Sequence, residues 1–281
     1  MKKLKNFKGL LFVFPSLLGV LIFYILPFFQ SFMYCFTTGM SQKHFVGLAN
    51  FKALFENPNY HLALYNTLFI TGIALPLLCV SSLMVALIIE KQIKRLKWLQ
   101  GVLLIPMALP AASLMLVWQD LFAEKGIINA ILGSKVNWLE SAYAPWVIIF
   151  MIIWKNIGYN TLLIISSLLM MPKEYEEAAH IDGGGFFKVA LYVKIPYLLP
   201  MLFFSVVISI ANCFKIFREV YLLQGSYPQN NLYLLQHFMN NQFSKLNYDM
   251  LTTAAFTLYM VLFVIIFVLT KWQQRYIQES V

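Results

Sequence analysis

Charged residues are scarce in this chain of 281 residues: they make up 12% of it, whereas hydrophobic residues make up 60%. A soluble domain carries about 25% charged residues. The mean hydropathy of +0.71 points the same way. This composition excludes an ordinary soluble domain and is typical of a protein that lies in a bilayer.

Motifs for catalysis and metal binding are absent from the sequence. Cys35, Cys79 and Cys213 are scattered in or beside apolar stretches without CxxC spacing, which argues against a disulfide framework or a metal site and favours buried thiols. No GxxxxGK[ST] sequence is present, so nucleotide hydrolysis must come from a partner, and no cofactor is expected in this chain. Because no Ser/His, His-Glu-x-x-His or paired-carboxylate arrangement occurs, we do not expect an enzyme.

The four histidines share no metal-ligand spacing. His44, His61 and His237 are predicted on the outer face of the membrane, and His180 in a cytoplasmic loop. Solvated or interfacial roles are expected for all of them.

Six apolar stretches are long enough to cross a hydrocarbon core of ~30 Å, which takes ~20 helical residues. They lie at 9–36, 62–89, 99–119, 143–171, 200–222 and 250–270. The first imitates a secretory signal, but its apolar run is about twice the usual length and no small-x-small cleavage site follows, so a retained helix is expected. No second domain is visible, and residues 1–281 are expected to form a single all-α transmembrane domain.

The net charge of +9 would suit a nucleic-acid partner, but the basic residues fall mostly in short gaps between apolar stretches. Lys and Arg are retained on the cytoplasmic side of membrane proteins. The predicted cytoplasmic face holds thirteen of the 21: Lys2, Lys3, Lys5, Lys8, Lys91, Lys94, Arg95, Lys97, Lys173, Lys188, Lys194, Lys271 and Arg275. The other face holds five: Lys43, Lys52, Lys125, Lys135 and Lys245. This bias places both termini in the cytoplasm, and no nucleic acid is expected as a partner.

A charged, glycine-rich segment, about 172–198, separates the fourth and fifth spans and is expected to face the cytoplasm. Pro172 suits the first turn of a helix, and the glutamates that follow it lie near the positive end of the helix dipole. Gly183 is expected to end this helix in a corner, and a second helix is expected over 186–193. From residue types alone, the segment is either a docking helix for a soluble protein or a solvated acidic loop.

The spacing within this segment resembles the EAA loop of ABC importer permeases. Glu177-Ala178-Ala179 is followed after three residues by Gly183, and after nine more by Val193-Lys194-Ile195-Pro196. In particular, the run from Glu177 to Gly183 resembles the carbohydrate-uptake branch, related to the maltose and glycerol-phosphate permeases. The chain departs from the family at Gly184, where Ala is usual, and at Val193-Lys194-Ile195-Pro196, where Ile-Thr-Leu-Pro is typical.

Further landmarks of that branch are spread over the chain from about residue 10 to 275. They are Phe45 to Phe51, Asn66-Thr67-Leu68, Leu109-Pro110, Trp118, Asn137-Trp138-Leu139, and Trp154 with Gly158. The resemblance implies the type I ABC importer permease fold, with six transmembrane helices, cytoplasmic termini and a cytoplasmic coupling helix.

The resemblance also implies roles and partners. Glu177 would anchor the loop in a cleft of an ATPase subunit, Ala178 and Ala179 would pack closely against it, and Gly183 would form the turn; Asp182 and Pro196 belong to the same motif. The implied partners are a second, similar permease in a heterodimer, two ATPase subunits that bind ATP and Mg, an extracytoplasmic solute-binding protein and membrane lipid. The chain would then be a non-catalytic, multi-pass permease of the bacterial inner membrane that imports a sugar or oligosaccharide by alternating access.

Polar residues inside the spans are candidates for the substrate path, because a charged side chain at membrane depth costs about 2.5–3.5 kcal/mol. They are Lys155, Asn160, Asn212, Lys215, Arg218 and Glu219. Residues 212, 215 and 219 share one helical face, which is predicted to bind sugar hydroxyls. In the alternative, Lys215 and Glu219 neutralise each other and Arg218 extends to the interface. Because two cations accompany one carboxylate, the transported sugar could also be anionic.

An ion-coupled secondary transporter is the alternative function. Such proteins usually have paired or repeated carboxylates in the membrane and an internal repeat. Glu219 is the only acidic residue well within a predicted span, and no duplication is visible in the sequence.

Overall fold

The computed structural model describes residues 12–39, 44–93 and 98–279. Contacts divide the chain into two compact units, which are Met1–His61 with Phe238–Phe263, and Leu62–His237 with Val264–Val281. Three helices belong to both units because the chain passes from one unit to the other within them. The expectation of a single domain over residues 1–281 stays a prediction.

The first unit begins with α1 (Phe12–Tyr34), which contains a π-helical stretch at Leu21–Ile25 just before Pro27. Two short antiparallel strands follow, β1 (Thr37–Thr38) and β2 (His44–Phe45), and then α2 (Ala49–Phe55). The unit also contains the first turn of α3 (Pro58–Ile93), most of α12 (Leu235–Ser244) and the first half of α13 (Tyr248–Glu279).

Aromatic rings and one amide hold the first unit together. The Asn50 side chain on α2 donates hydrogen bonds to the carbonyl oxygens of Cys35 (3.1 Å) and Thr37 (2.9 Å), which ties α2 to the chain that leaves α1. The ring centroids of Tyr60 and Phe238 lie 5.6 Å apart, edge to face, and both residues are buried. Such pairs add to the stabilisation that burial of apolar surface provides.

The second unit holds most of the apolar helices. After α3 come α4 (Trp98–Ala108), α5 (Ala111–Phe122), α6 (Ile127–Leu132), a 3₁₀ turn (Trp138–Glu140), α7 (Ala144–Leu168) and α8 (Lys173–Ile181). They are followed by α9 (Phe186–Val189), a π-helical stretch (Ala190–Lys194), α10 (Ile195–Phe214), α11 (Phe217–Gln224) and a second 3₁₀ turn (Asn230–Leu232).

Helix α7 is the centre of the second unit and packs against α4 and α10. Ile148 and Ile152 on α7 belong to an apolar core that also contains Trp118 of α5 and Cys213 of α10. At Gly158 the approach of α4 is so close that an added Cβ would lie 1.7 Å from the carbonyl oxygen of Leu103. Only glycine permits this contact between the two helices.

By length and composition, five helices of the described chain can cross a membrane, and six if one bent pair counts as a span. The bent pair occupies the region of the third span expected at 99–119: α4 and the helical segment that begins at Ala111 meet at 87°. Pro110 lies in extended backbone at the bend, with ψ of 134°. Proline supplies no N–H and disfavours a helical conformation in the residue before it, so the helix stops there. The prolines of this span predict a kink, and the structure has a full break at Pro110.

The orientation of the spans stays a prediction. Several of the cations that support it, namely Lys2, Lys3, Lys5, Lys8, Lys43, Lys94, Arg95 and Lys97, lie outside the described residues.

Candidate functional site

The segment at 172–198 has the expected helix and corner. Pro172 precedes the first turn of α8, Glu174 and Glu176 lie in that turn, and the helix ends at Ile181. Gly183 follows with φ of +78°, a conformation that favours glycine. The second helix is shorter than expected, because α9 changes after Val189 into the π-helical stretch that leads into α10. Pro196 lies in the first turn of α10, where a missing N–H is tolerated.

The predicted coupling residues differ in exposure. Glu177, Ala178, Asp182 and Gly183 are exposed, whereas Ala179 is half-buried. Tyr175 and Ile181 are also exposed, at 55% and 86%. The helix therefore presents small, acidic and apolar side chains on its outer surface, a combination that a protein groove can bind.

Gly184, one of the departures from the family pattern, fits a tight corner. Its N–H donates to the carbonyl oxygen of Ala179 at 2.8 Å, and an added Cβ would lie 2.6 Å from that oxygen. The departure therefore accompanies a turn that closes more tightly than an alanine would allow.

Lys194 is a second departure, and sequence reasoning missed its environment. The charge bias predicts a cytoplasmic position for Lys194, and the structure shows that its side chain is buried, at 3% exposed. Its ammonium forms an ion pair with Glu90 of α3, and it lies 3.4 Å from Oε1 of Glu176 on α8. The available signal was a lysine at the threonine position of the motif, combined with a glutamate at the end of the second span.

A polar cavity of about 180 Å³ lies inside the second unit. It is lined by Met107, Ile152, Lys155, Asn156, Asn212, Lys215, Ile216 and Glu219. Four of the six residues predicted for the substrate path therefore lie together. The other two do not line this cavity: Arg218 is exposed, and Asn160 is buried and donates to the Ser209 hydroxyl at 2.7 Å.

Glu219 is paired with Lys155 of α7, so the alternative in which Lys215 neutralises Glu219 was wrong. The Lys215 ammonium instead donates to Oδ1 of Asn212 at 3.0 Å. The physical reason is the break at residues 215–216: Lys215 lies in the break after α10, whereas Glu219 lies in α11, so the two side chains no longer share one continuous helical face. Two ammonium groups and one carboxylate therefore line the cavity.

Two polar atoms at this cavity have no hydrogen-bond partner among the described residues: Oε2 of Glu219 and Nδ2 of Asn212. One is an acceptor and the other a donor, and both are buried. A buried polar group without a partner is unfavourable by about 1–3 kcal/mol. A hydroxyl group both donates and accepts, so it matches the chemistry of both atoms.

His237 is buried, at 0% exposed, so the expectation of a solvated or interfacial role was wrong for this residue. Its Nδ1 accepts a hydrogen bond from the N–H of Leu234 at 3.2 Å, and its ring lies 4.7 Å from that of Phe217. Burial lowers the pKa of His237 from 6.5 to about 4, because the charged imidazolium is poorly solvated there. The ring is therefore neutral at pH 7.

Two of the family landmarks, Asn66 and Trp138, hold loops in place through hydrogen bonds. Nδ2 of Asn66 donates to the carbonyl oxygens of Asn230 (2.5 Å) and Tyr233 (3.0 Å), which fixes the chain after α11 to α3. Nε1 of Trp138 donates to Oδ1 of the buried Asn129 at 2.9 Å. These side chains hold loops in place, and none of them lines the polar cavity.

Known proteins resemble this chain over most of its length. It is 28% identical to the trehalose/maltose transport system permease protein MalF of Thermococcus litoralis, over 78% of each chain. It is 30% identical to the arabinooligosaccharides transport system permease protein AraP of Bacillus subtilis, over 78% of this chain and 73% of that one. It is 31% identical to the sn-glycerol-3-phosphate transport system permease protein UgpA of Escherichia coli O157:H7, over 96% and 94%.

Solved structures agree in fold. A bacterial ABC transporter involved in the import of the acidic polysaccharide alginate matches with a TM-score of 0.83, 20% identity, and coverage of 98% of this chain and 99% of that one. A bacterial alginate ABC transporter in complex with an alginate pentasaccharide-bound periplasmic protein also matches, with a TM-score of 0.83 and 19% identity. The match covers 96% of this chain and 95% of that one. The family described as "Binding-protein-dependent transport system inner membrane component" matches residues 82–281. The chain therefore belongs to the inner membrane components of binding-protein-dependent transport systems.

Proposed function

We propose that this multi-pass inner-membrane permease carries a sugar or oligosaccharide through the cavity lined by Lys155, Asn212, Lys215 and Glu219. The observation that carries the proposal is the polar lining of this cavity, with an unpartnered buried donor and acceptor inside an otherwise apolar helix bundle. Sugar hydroxyls satisfy both kinds of group. The names of the relatives, which transport trehalose or maltose, arabinooligosaccharides and sn-glycerol 3-phosphate, support the same substrate class.

The permease works with separate subunits. An extracytoplasmic solute-binding protein delivers the substrate, in keeping with the periplasmic protein in the related alginate complex. A second, similar permease completes the pathway as a heterodimer, and two ATPase subunits bind ATP and Mg. This chain is non-catalytic and moves substrate by alternating access.

Helix α8 and the corner at Gly183 form the coupling surface for an ATPase subunit. The exposed carboxylate of Glu177 anchors it, Ala178 and Ala179 permit close approach, and Asp182 and Gly183 shape the turn. Pro196 sets the start of α10, so that a displacement of the corner reaches the helix that carries Asn212. Membership of a binding-protein-dependent family favours this mechanism over the ion-coupled alternative.

Uptake into proteoliposomes tests the proposal. The complete importer is reconstituted with its binding protein, and uptake is measured for maltose, trehalose, arabino-oligosaccharides, sn-glycerol 3-phosphate and alginate oligosaccharides. Uptake of one of them that requires internal ATP is the expected result. Uptake that follows a proton or sodium gradient without ATP would establish the secondary-transporter mechanism instead.

A further inference from the structure

We propose that Lys194, Glu90 and Glu176 form an ionic clamp that transmits movement of α8 to the transmembrane helices. The clamp rests on the proposed coupling role of α8 and adds a positioning residue, Lys194, to it. Lys194 occupies the position that is threonine in the family pattern.

The geometry joins three separate parts of the second unit. Glu90 lies near the C-terminal end of α3, Glu176 lies on α8, and Lys194 is the last residue of the π-helical stretch before α10. The Lys194 ammonium is hydrogen-bonded to Oε1 of Glu90 and lies 3.4 Å from Oε1 of Glu176. The Lys194 ammonium therefore joins the segment before the fifth span to Glu90 at the end of the second apolar span, 104 residues earlier in the chain.

Burial makes this bridge stiff. The side chains of Lys194, Glu90 and Glu176 are 4%, 11% and 27% exposed. A buried ammonium is stable only while it is paired and hydrogen-bonded, so Lys194 resists separation from either carboxylate. A surface ion pair, screened by water and salt, would transmit little force by comparison.

The two sides of α8 contact different surroundings. Glu177 and Ala178 are exposed and available to a partner, whereas Glu176 is half-buried and faces the clamp. Beyond the clamp, an apolar cluster joins α3, α7 and α10 into one packed group; it contains Ala86, Ile93, Ile164, Ile165, Leu168 and Leu198. A force on the exposed side of α8 therefore reaches α3 and the start of α10 at the same ammonium, and packed helices pass it on because they are poorly compressible.

A ratio of two activities separates coupling from stability. The complete importer is reconstituted with its binding protein, and uptake of the transported sugar and ATP hydrolysis are measured on the same proteoliposomes. The variants are Lys194→Met, Glu176→Gln and their combination. Lys271→Met is the control, because Lys271 is exposed on α13 and lies outside the segment 172–198.

The clamp predicts that sugar transported per ATP hydrolysed falls about fivefold in each single variant, the lower end of typical couplings between sites. The double variant should fall no further, since both changes break the same link. The control Lys271→Met should keep the wild-type ratio. A merely structural role would lower both activities together and leave the ratio unchanged.

An unchanged ratio in Glu176→Gln and Lys194→Met, or a fully additive loss in the double variant, overturns the clamp. If Lys194→Met does not insert, Glu176→Gln decides alone, because its side chain is partly exposed and the change keeps its size. A wild-type importer without ATP-dependent uptake overturns the proposed function itself. ATP-driven wild-type uptake with unaffected variants overturns only the clamp.

Discussion

The Glu219 carboxylate on α11 is paired with the Lys155 ammonium on α7, 64 residues earlier in the chain. Glu219 is 2% exposed, so this pair joins two helices at the wall of the polar cavity. The Lys215 ammonium, which the sequence predicts on the same helical face as Glu219, instead donates to Oδ1 of Asn212. The pair therefore settles which cation neutralises Glu219 and leaves the Lys215 ammonium as a second positive group in the lining.

Breaking the pair on one side should destabilise the permease. Lys155→Met leaves Glu219 without its cation; because the Lys155 side chain is 25% exposed, we expect a loss of about 2 kcal/mol, below the ~3–5 kcal/mol of a fully buried pair. The double variant Lys155→Met with Glu219→Leu should recover most of the loss. Thermal unfolding in detergent measures both, with Lys215→Met as the control. Equal stability of Lys155→Met and wild type would contradict the pairing.

Charge in the cavity should select between substrates. Lys215→Gln removes one of two cations. Uptake of an acidic oligosaccharide should therefore fall by roughly 10- to 100-fold more than uptake of a neutral one, because a hydrogen bond to a charged group contributes about 1.5–3 kcal/mol. Transport of alginate oligosaccharides and of maltose by the same proteoliposomes makes the comparison. Equal losses for the two classes would remove the support for an anionic substrate.

The corner at Gly183 should tolerate no charged side chain if it enters an ATPase cleft. Gly183→Asp should abolish uptake and weaken co-purification of the ATPase, while the protein still inserts. Gly133→Asp is the matched control, because Gly133 also has a positive φ, of +64°, and open space around its Cβ position. Backbone strain is then similar in both variants, so a loss confined to Gly183→Asp identifies the interface. Normal uptake in that variant would refute the coupling role.

The contact between α7 and α4 should depend on glycine. In Gly158→Ala the new Cβ would lie 1.7 Å from the Leu103 carbonyl oxygen. The two helices must then separate, and we expect a loss of about 1–3 kcal/mol, as for other overpacked interiors. Gly101→Ala on α4 meets nothing within 4 Å and should be neutral or stabilising, because alanine favours helix. Melting temperatures of the two variants test the contact.

Acid should destabilise the fold through His237. The pKa of His237 is about 4 in the folded chain and 6.5 as the ordinary value, so the unfolded chain binds the proton first as pH falls. Stability from the neutral ring is complete above pH 6.5 and is lost between pH 6.5 and about 4, by about 1.4 kcal/mol per pH unit. Unfolding at pH 7 and pH 5 should differ less in His237→Phe than in wild type. The exposed His44, changed to Gln, should leave the wild-type difference intact.

Much of the fold follows from local properties of the chain. Apolar length predicts the long helices α1, α3, α7 and α13, because roughly 20 apolar residues are needed wherever a helix crosses lipid. Pro172 and Gly183 predict the limits of α8, since proline and glycine restrict or free the backbone at their own positions. The EAA spacing predicts the family for the same reason: it is a pattern within one short segment.

Contacts between distant segments could not be read from the sequence. The burial of His237 and the partners of Lys155 and Lys194 each depend on which helices meet and at what angle.

The sequence by itself determined a helical, membrane-spanning permease with a helix and a glycine corner between two of its spans. Tertiary structure alone decided that Lys155 neutralises Glu219 and that Lys194 joins Glu90 to Glu176. The physical reason is that hydropathy and backbone preference act over a few neighbouring residues, whereas the pairing of buried charges is decided by which helices pack together.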